Sequence, residues 1–257
     1  MKKIILTTLA TLTAGAAFAQ ELDICVEGAY PPFSYTTDSG EVEGFDIDVA
    51  NALCAEMGRE CTMVKTDWDG IIPALLEDKC DAIIASMSIT EERRQVIDFS
   101  EKYYQTPAIF VAEEGRFADD SAETLADAVV GVQRGTIHQN FMEGEYPDVE
   151  LRLYSAQDDA YLDLAAGRID AIMADSIAMD DGFLKTDAGE GYAFVGEGYS
   201  IPEYHGDGAG IGVRQEDTEL RDEFSAAIQA IIASGEYGQI AEEYFDFDIY
   251  GGGGDES

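Results

Sequence analysis

The chain has 257 residues, with 53 Asp and Glu against 15 Lys and Arg, a formal net charge of −38. A chain this acidic repels phosphate backbones, which excludes nucleic acid as a partner, and its field attracts cationic solutes. The length allows one large or two modest α/β domains, and past the amino terminus no stretch has the ~18 apolar residues of a membrane span. The acidity is spread along the chain with no acidic tail, and reads as a solvated surface.

Residues 1–19 read as a secretory signal peptide. Lys2 and Lys3 form a basic start, Ile4 to Phe18 is mostly apolar, and Ala17-Phe18-Ala19 has the small-x-small form of a cleavage site. Cleavage after Ala19 and export to the periplasm are expected, and no cysteine at the cleavage point offers a lipid anchor. Leu22 to Val26 reads as the first strand. Tyr30 to Tyr35 and Val42 to Phe45 flank a turn at Asp38-Ser39-Gly40. Asp46 to Met57 has a helical apolar face (Ile47, Ala50, Leu53, Cys54, Met57) and a stop at Gly58. A strand over Cys61 to Val64 and a helix over Trp68 to Asp78 follow.

Asp81 to Gln95 is the most informative stretch. Ala82 to Ala85 reads as a buried parallel strand that ends in hydroxyls at Ser86, Ser88 and Thr90. Thr90 suits a helix N-cap, and Glu91 and Glu92 suit the positive end of the helix dipole. Arg93 then falls in the first turn, near the mouth of the strand. Open α/β sheets bind ligands there, and a guanidinium beside small hydroxyls can hold a carboxylate bidentately.

A second unit begins near Pro107, with a strand over Ile109 to Ala112, a short helix over Thr124 to Ala128 and a strand over Val129 to Gln133. Arg134-Gly-Thr-Ile-His138 leads into a helix. A strand over Leu151 to Tyr154, a helix over Gln157 to Ala166, a strand over Ile169 to Ala174 and a helix over Ser176 to Leu184 complete the alternation. Such alternation means parallel sheets with helices on their faces. Gly210 to Val213 reads as a strand, and Asp217 to Ser234 and Tyr237 to Phe245 as helices. They are best used to complete the first unit, so the chain crosses between lobes twice. Residues 251–257, glycine-rich, read as a flexible tail.

Four cysteines suit an oxidising compartment. Cys54 and Cys61 lie on either side of the Gly58 stop, in a loop a disulfide could close. Cys25 and Cys80 each sit by a strand, and a second bridge between them is left open, since four cysteines allow three pairings. No CxxC occurs and both histidines, His138 and His205, are remote from the cysteines, which disfavours a metal site. There is no G-x-S-x-G or H-E-x-x-H, and Gly208-Ala-Gly-Ile-Gly212 lacks dinucleotide spacing. Neither catalysis nor a cofactor is expected.

Five markers in order resemble the periplasmic amino-acid-binding proteins of ABC importers, family 3 solute-binding proteins. They are Tyr30-Pro-Pro-Phe33, Gly44-Phe-Asp-Ile-Asp48, Asp81 to Thr90 with Arg93, Ala166-Gly-Arg-Ile-Asp170 before Asp175, and Tyr244-Phe-Asp-Phe-Asp-Ile-Tyr-Gly251. The chain is most similar to the lysine/arginine/ornithine-, histidine- and arginine-binding group. That resemblance implies a type II two-lobed α/β fold, each lobe a mostly parallel sheet flanked by helices, with a two-stranded hinge. Lobe 1 would take residues 20–106 and 202–250, and lobe 2 residues 107–201. It also implies a Cys54–Cys61 disulfide, an inner-membrane ABC permease as partner, and a monomer that closes on its ligand.

By resemblance, Arg93 grips the α-carboxylate, with the backbone amides of Thr136, Ile137 and His138 as a second anion site at a helix N-terminus. Asp175, the Ser88 hydroxyl and the Ser86 carbonyl receive the α-ammonium. Tyr30 and Trp68 sandwich the side chain, and Trp68 offers a face for a cation. Glu27 pairs with a cationic side-chain head. Asp46 assists directly or through water, or else caps its helix. Ala85, Gln133 and Ile137 depart from the group's pattern, as does His138, and fit a larger side chain such as arginine or an opine. The expected ligand is a basic L-amino acid: arginine, lysine, ornithine or histidine. A polar neutral amino acid or an opine is the alternative, and a dehydratase of the same architecture a more distant one. His205 receives no role.

Overall fold

The computed structural model describes residues 21–251. The signal peptide, its cleavage point and all of the expected tail except Gly251 lie outside them. In chain order the first elements are β1 (Leu22–Val26), β2 (Ala29–Tyr30), β3 (Ser34–Thr36), β4 (Val42–Glu43), α1 (Phe45–Glu56), β5 (Cys61–Lys65), α2 (Trp68–Leu76), β6 (Ala82–Ile83), α3 (Glu91–Arg94) and β7 (Asp98–Tyr104). Next come β8 (Ala108–Glu113), β9 (Val129–Gln133), α4 (Ile137–Glu145), β10 (Glu150–Tyr154), α5 (Gln157–Ala165), β11 (Ala171–Asp175), α6 (Ser176–Met179) and β12 (Tyr192–Tyr199). The chain ends with α7 (Pro202–His205), β13 (Ala209–Val213), α8 (Thr218–Ser234) and α9 (Glu236–Tyr244).

Two five-stranded sheets form, in the orders β5-β1-β6-β13-β7 and β10-β9-β11-β8-β12, with β2, β3 and β4 as a small third. In the first, β5, β1 and β6 are parallel, while β13 runs against both β6 and β7. In the second, β10, β9 and β11 are parallel, while β8 runs against both β11 and β12. Each sheet is thus mixed, with one reversed strand, and that strand arrives from the other lobe. The two crossings lie side by side, since Ala209 pairs with Tyr104 and Tyr199 with Ala108. The helix α7 sits within the second crossing.

Period-two alternation gives each sheet two apolar faces. Ile24, Val26, Ala82 and Ile84 pack under α1, α8 and α9, whereas Cys25, Ile83 and Ala85 pack against Ile71, Ala74 and Leu75 of α2. In the second sheet Phe110, Val130, Val132 and Met173 meet Phe141 and Met142 of α4. Ile109, Val111, Ile172 and Ala174 meet Ala160, Tyr161 and Leu164 of α5. Both cysteine pairs form, Cys54–Cys61 and Cys25–Cys80. The second ties the buried end of β1 to the segment entering β6.

Several elements differ from expectation. Residues 124–128 form turns rather than a helix, because the Asp119 carboxylate accepts from the hydroxyls of both Ser121 and Thr124 and holds a tight loop. The helix expected over Ser176 to Leu184 keeps α-geometry only to Met179 and widens into a π-turn over Asp180–Leu184. The strands β7 and β12 and the helix α7 were not expected. Among the described residues, no helix is long and apolar enough to cross a membrane.

Candidate functional site

The carboxyl ends of β1 and β6 face those of β9 and β11 across a cleft, where parallel sheets place their ligands. The cleft encloses a cavity. On the first lobe's side it is lined by Glu27, Tyr30, Trp68, Ala85, Ser86, Ser88 and Arg93. On the second lobe's side it is lined by Gln133, Thr136, Ile137, His138 and Asp175. Every residue singled out in the sequence except Asp46 lines this one cavity.

Arg93 is fixed from both ends. The Thr90 hydroxyl caps α3 by accepting from the Arg93 backbone N–H at 3.2 Å. The guanidinium donates to the Ser88 carbonyl at 2.9 Å and stacks 5.3 Å from the Trp68 ring centre. Burial lowers its pKa to about 10, which leaves it cationic at neutral pH. Across the cleft, Gly135 adopts φ 70°, a left-handed conformation that suits glycine. Thr136 caps α4, accepting from the Gln139 N–H at 3.3 Å and donating to the Gln133 carbonyl at 2.7 Å. The carbonyl of Gly135 accepts from Trp68 Nε1 at 3.3 Å and from Arg93 Nη2 at 3.4 Å, so the two lobes touch at this point.

Asp175 ends β11. Its carboxylate accepts from the Ile177 N–H at 3.0 Å, which caps α6, and also from the Thr106 hydroxyl. It therefore both caps the helix and forms cavity wall, and burial raises its pKa to about 6. Glu27 lies just past the carboxyl end of β1 and is 5% exposed. Burial pushes its carboxyl up to about 7, with the charges of Asp158, Asp67 and Asp46 acting in the same direction and the Gln133 amide acting against it. Gln133 Nε2 donates to Glu27 at 2.6 Å across the cleft.

Asp46 is not the cap expected from its place in the sequence. Gly44 is the cap of α1, and Asp46 lies wholly buried one layer behind the cavity. Its two oxygens accept from the Ser86 hydroxyl at 2.9 Å and the Tyr103 hydroxyl at 2.8 Å. Ser86 sits at φ 54°, strained for a residue with a Cβ, and its N–H donates to that same Tyr103 hydroxyl. Asp46 and Tyr103 thus brace the turn that carries Ser86 into the cavity.

Sequence reasoning passed over Tyr104, Thr106 and His205, which also line the cavity. It registered Gln133 only as a departure from pattern. The available signal was a polar side chain closing the apolar run Val129 to Val132. His205 is buried, with its ring 6.4 Å from that of His138. Among the described residues His205 Nε2 and His138 Nδ1 have no partner. Burial, helped by the nearby His205 and Arg93, pulls His138 down to about 3, so its imidazole is neutral. Outside the cavity, an Arg134–Asp69 ion pair at 2.8 Å and a bond from Asn140 to Glu92 at 2.8 Å join the lobes at the rim.

Two α/β lobes joined by paired crossings, with a guanidinium and two carboxylates lining one cavity between them, define a solute receptor for a small charged ligand. The model of the bacterial extracellular solute-binding proteins, family 3, matches residues 22–247, and the chain belongs to that family. It is 49% identical over 230 residues to an L-arginine-binding protein of Pseudomonas aeruginosa, covering 89% of each chain. It is 40% identical over 260 residues to a histidine-binding periplasmic protein of Escherichia coli, covering 98% of this chain and 100% of that one. A solved structure of a Salmonella typhimurium periplasmic binding protein, described for high arginine specificity, superposes with a TM-score of 0.82 at 34% identity. That match covers 88% of this chain and all of the other. This is a non-catalytic, periplasmic family whose members deliver small solutes to ABC permeases.

Proposed function

We propose that the chain captures a basic L-amino acid in the periplasm and delivers it to an ABC permease. One observation carries this reading: the cavity wall holds one cation, Arg93, and two carboxylates, Glu27 and Asp175. With both carboxylates ionised the wall carries a net charge of −1, complementary to a zwitterion with a cationic side chain. Arg93 and the first amides of α4 grip the α-carboxylate. Asp175 and Ser88 receive the α-ammonium, and Tyr30 and Trp68 flank the aliphatic stem. Glu27, kept from ionising freely by its burial, becomes fully charged when a cationic head arrives. The relatives' names, arginine-binding and histidine-binding, agree with this class. Cleavage after Ala19, the lobe boundaries at 106/107 and 201/202, and a monomeric state complete the reading.

The test is thermal denaturation of the mature protein with each of L-arginine, L-lysine, L-ornithine and L-histidine. A ligand present at a hundred times its Kd adds about 2.7 kcal/mol of stability, which shifts the midpoint by several degrees. A shift with one or more of these, and a smaller one with L-glutamine, is expected. A shift with glutamine alone moves the ligand to the neutral class.

A further inference from the structure

We infer that Gln133 selects a guanidinium over an ammonium at the distal end of the cavity, an inference that rests on the reading of the chain as a basic-amino-acid receptor. Gln133 is the last residue of β9, buried, and part of the cavity wall. Its Nε2 donates to Glu27 at 2.6 Å and to the Ser155 carbonyl at 3.2 Å. The Ser155 carbonyl can only accept, as can ionised Glu27, which sets the amide with nitrogen toward them and Oε1 turned away. Among the described residues nothing donates to Oε1, which is left free to accept. The distal wall therefore presents two acceptors of different kinds, the free oxygen of Glu27 from one lobe and the Gln133 carbonyl oxygen from the other.

A guanidinium carries five N–H groups in a flat fork that spreads its charge over three nitrogens, and it can engage two separate acceptors at once. An ammonium is a compact charge with three tetrahedral donors, and it needs acceptors on several sides. Ala85, also in the first lobe's part of the wall, offers a methyl group and no acceptor side chain. The aromatic rings of Tyr30 and Trp68 suit a flat head in the same way. Gln133 thus adds little to an ammonium already paired with Glu27, and more to a guanidinium.

Titration calorimetry of the full mature chain and of Gln133→Leu with L-arginine and L-lysine tests this. The expected outcome is a loss of at least roughly tenfold in arginine affinity, with lysine changed by less than about threefold. Equal losses for both ligands, or an unchanged arginine affinity, overturn the inference. Should Gln133→Leu not fold by circular dichroism, Gln133→Met, which keeps the length, decides by the same ratio. A wild-type protein that binds neither ligand refutes the broader functional reading, whereas a wild-type protein that binds arginine with an unmoved arginine-to-lysine ratio in the variant refutes only the role of Gln133.

Discussion

The two ends of the cavity are built on different principles. At the proposed α-amino-acid end the residues are anchored by local backbone geometry: Thr90 caps the helix that carries Arg93, Thr136 caps α4, and Asp175 is itself a cap. Each residue there is held by its own secondary structure before any ligand arrives. At the distal end Glu27 and Gln133 hold each other, side chain to side chain across the cleft, and neither is a cap. On the proposed reading, the first arrangement meets what all α-amino acids share, and the second meets the side chain, the part in which ligands differ.

That contrast can be broken most directly at Arg93. Replacing it with Ala removes the one cation of the cavity wall, the proposed partner of the α-carboxylate, and a loss of roughly a thousandfold in affinity is expected for every α-amino acid that binds. Binding of any ligand at near-normal affinity, measured by calorimetry, would show that the two ends are not divided in this way. A smaller effect, and a selective one, is expected at Glu27. Its pKa lies near 7, above the ordinary value of 4.5, so Glu27 favours the folded state at low pH and that contribution is lost as pH rises through 7. A bound cation lowers the value again. Affinity for a basic amino acid should therefore fall roughly tenfold per unit as pH drops below 7, until the pKa of the complex is reached. In Glu27→Gln this dependence should flatten, and cationic ligands should lose roughly a hundredfold at pH 8. An unchanged pH profile in the variant would assign the titration to another group. The smallest effect belongs to the rim. Asp69→Asn removes a half-exposed ion pair with Arg134, and a change of only about two- to fivefold, equal for all ligands, is expected from dissociation kinetics.

Much of this architecture was legible in the sequence because local signals agreed with the fold. The run Ala82 to Ala85 with Thr90, Glu91 and Glu92 behind it reads as a strand, a cap and a dipole partner in succession; the strand forms over Ala82–Ile83, and Thr90 caps a helix with Glu91 and Glu92 in its first turn. The strands β7 and β12 were not legible for physical reasons. In β7, Asp98-Phe-Ser-Glu-Lys-Tyr-Tyr104, buried and exposed residues come in pairs rather than in alternation. In β12, an edge strand, Gly196 and Gly198 adopt positive φ and the pairing shifts register between Val195 and Tyr199. Asp46 resembled a helix cap because it stands in the first turn of α1, and only the tertiary approach of Ser86 and Tyr103 reveals what it binds. His205 belongs to a four-residue helix within a crossing, where no periodicity points inward. The Cys25–Cys80 bridge was one of several pairings until the register between β1 and β6 brought the two residues together.

The origin of the reversed strands has a consequence for how the polypeptide acquires its shape. All five strands of the second sheet come from one unbroken stretch, Ala108 to Tyr199, whereas the first sheet needs β13 between β6 and β7. A chain halted after Tyr199 holds one finished sheet and one with a gap at its middle. The half that is begun first is thus completed last, and truncation from the carboxyl end strikes the amino-terminal half.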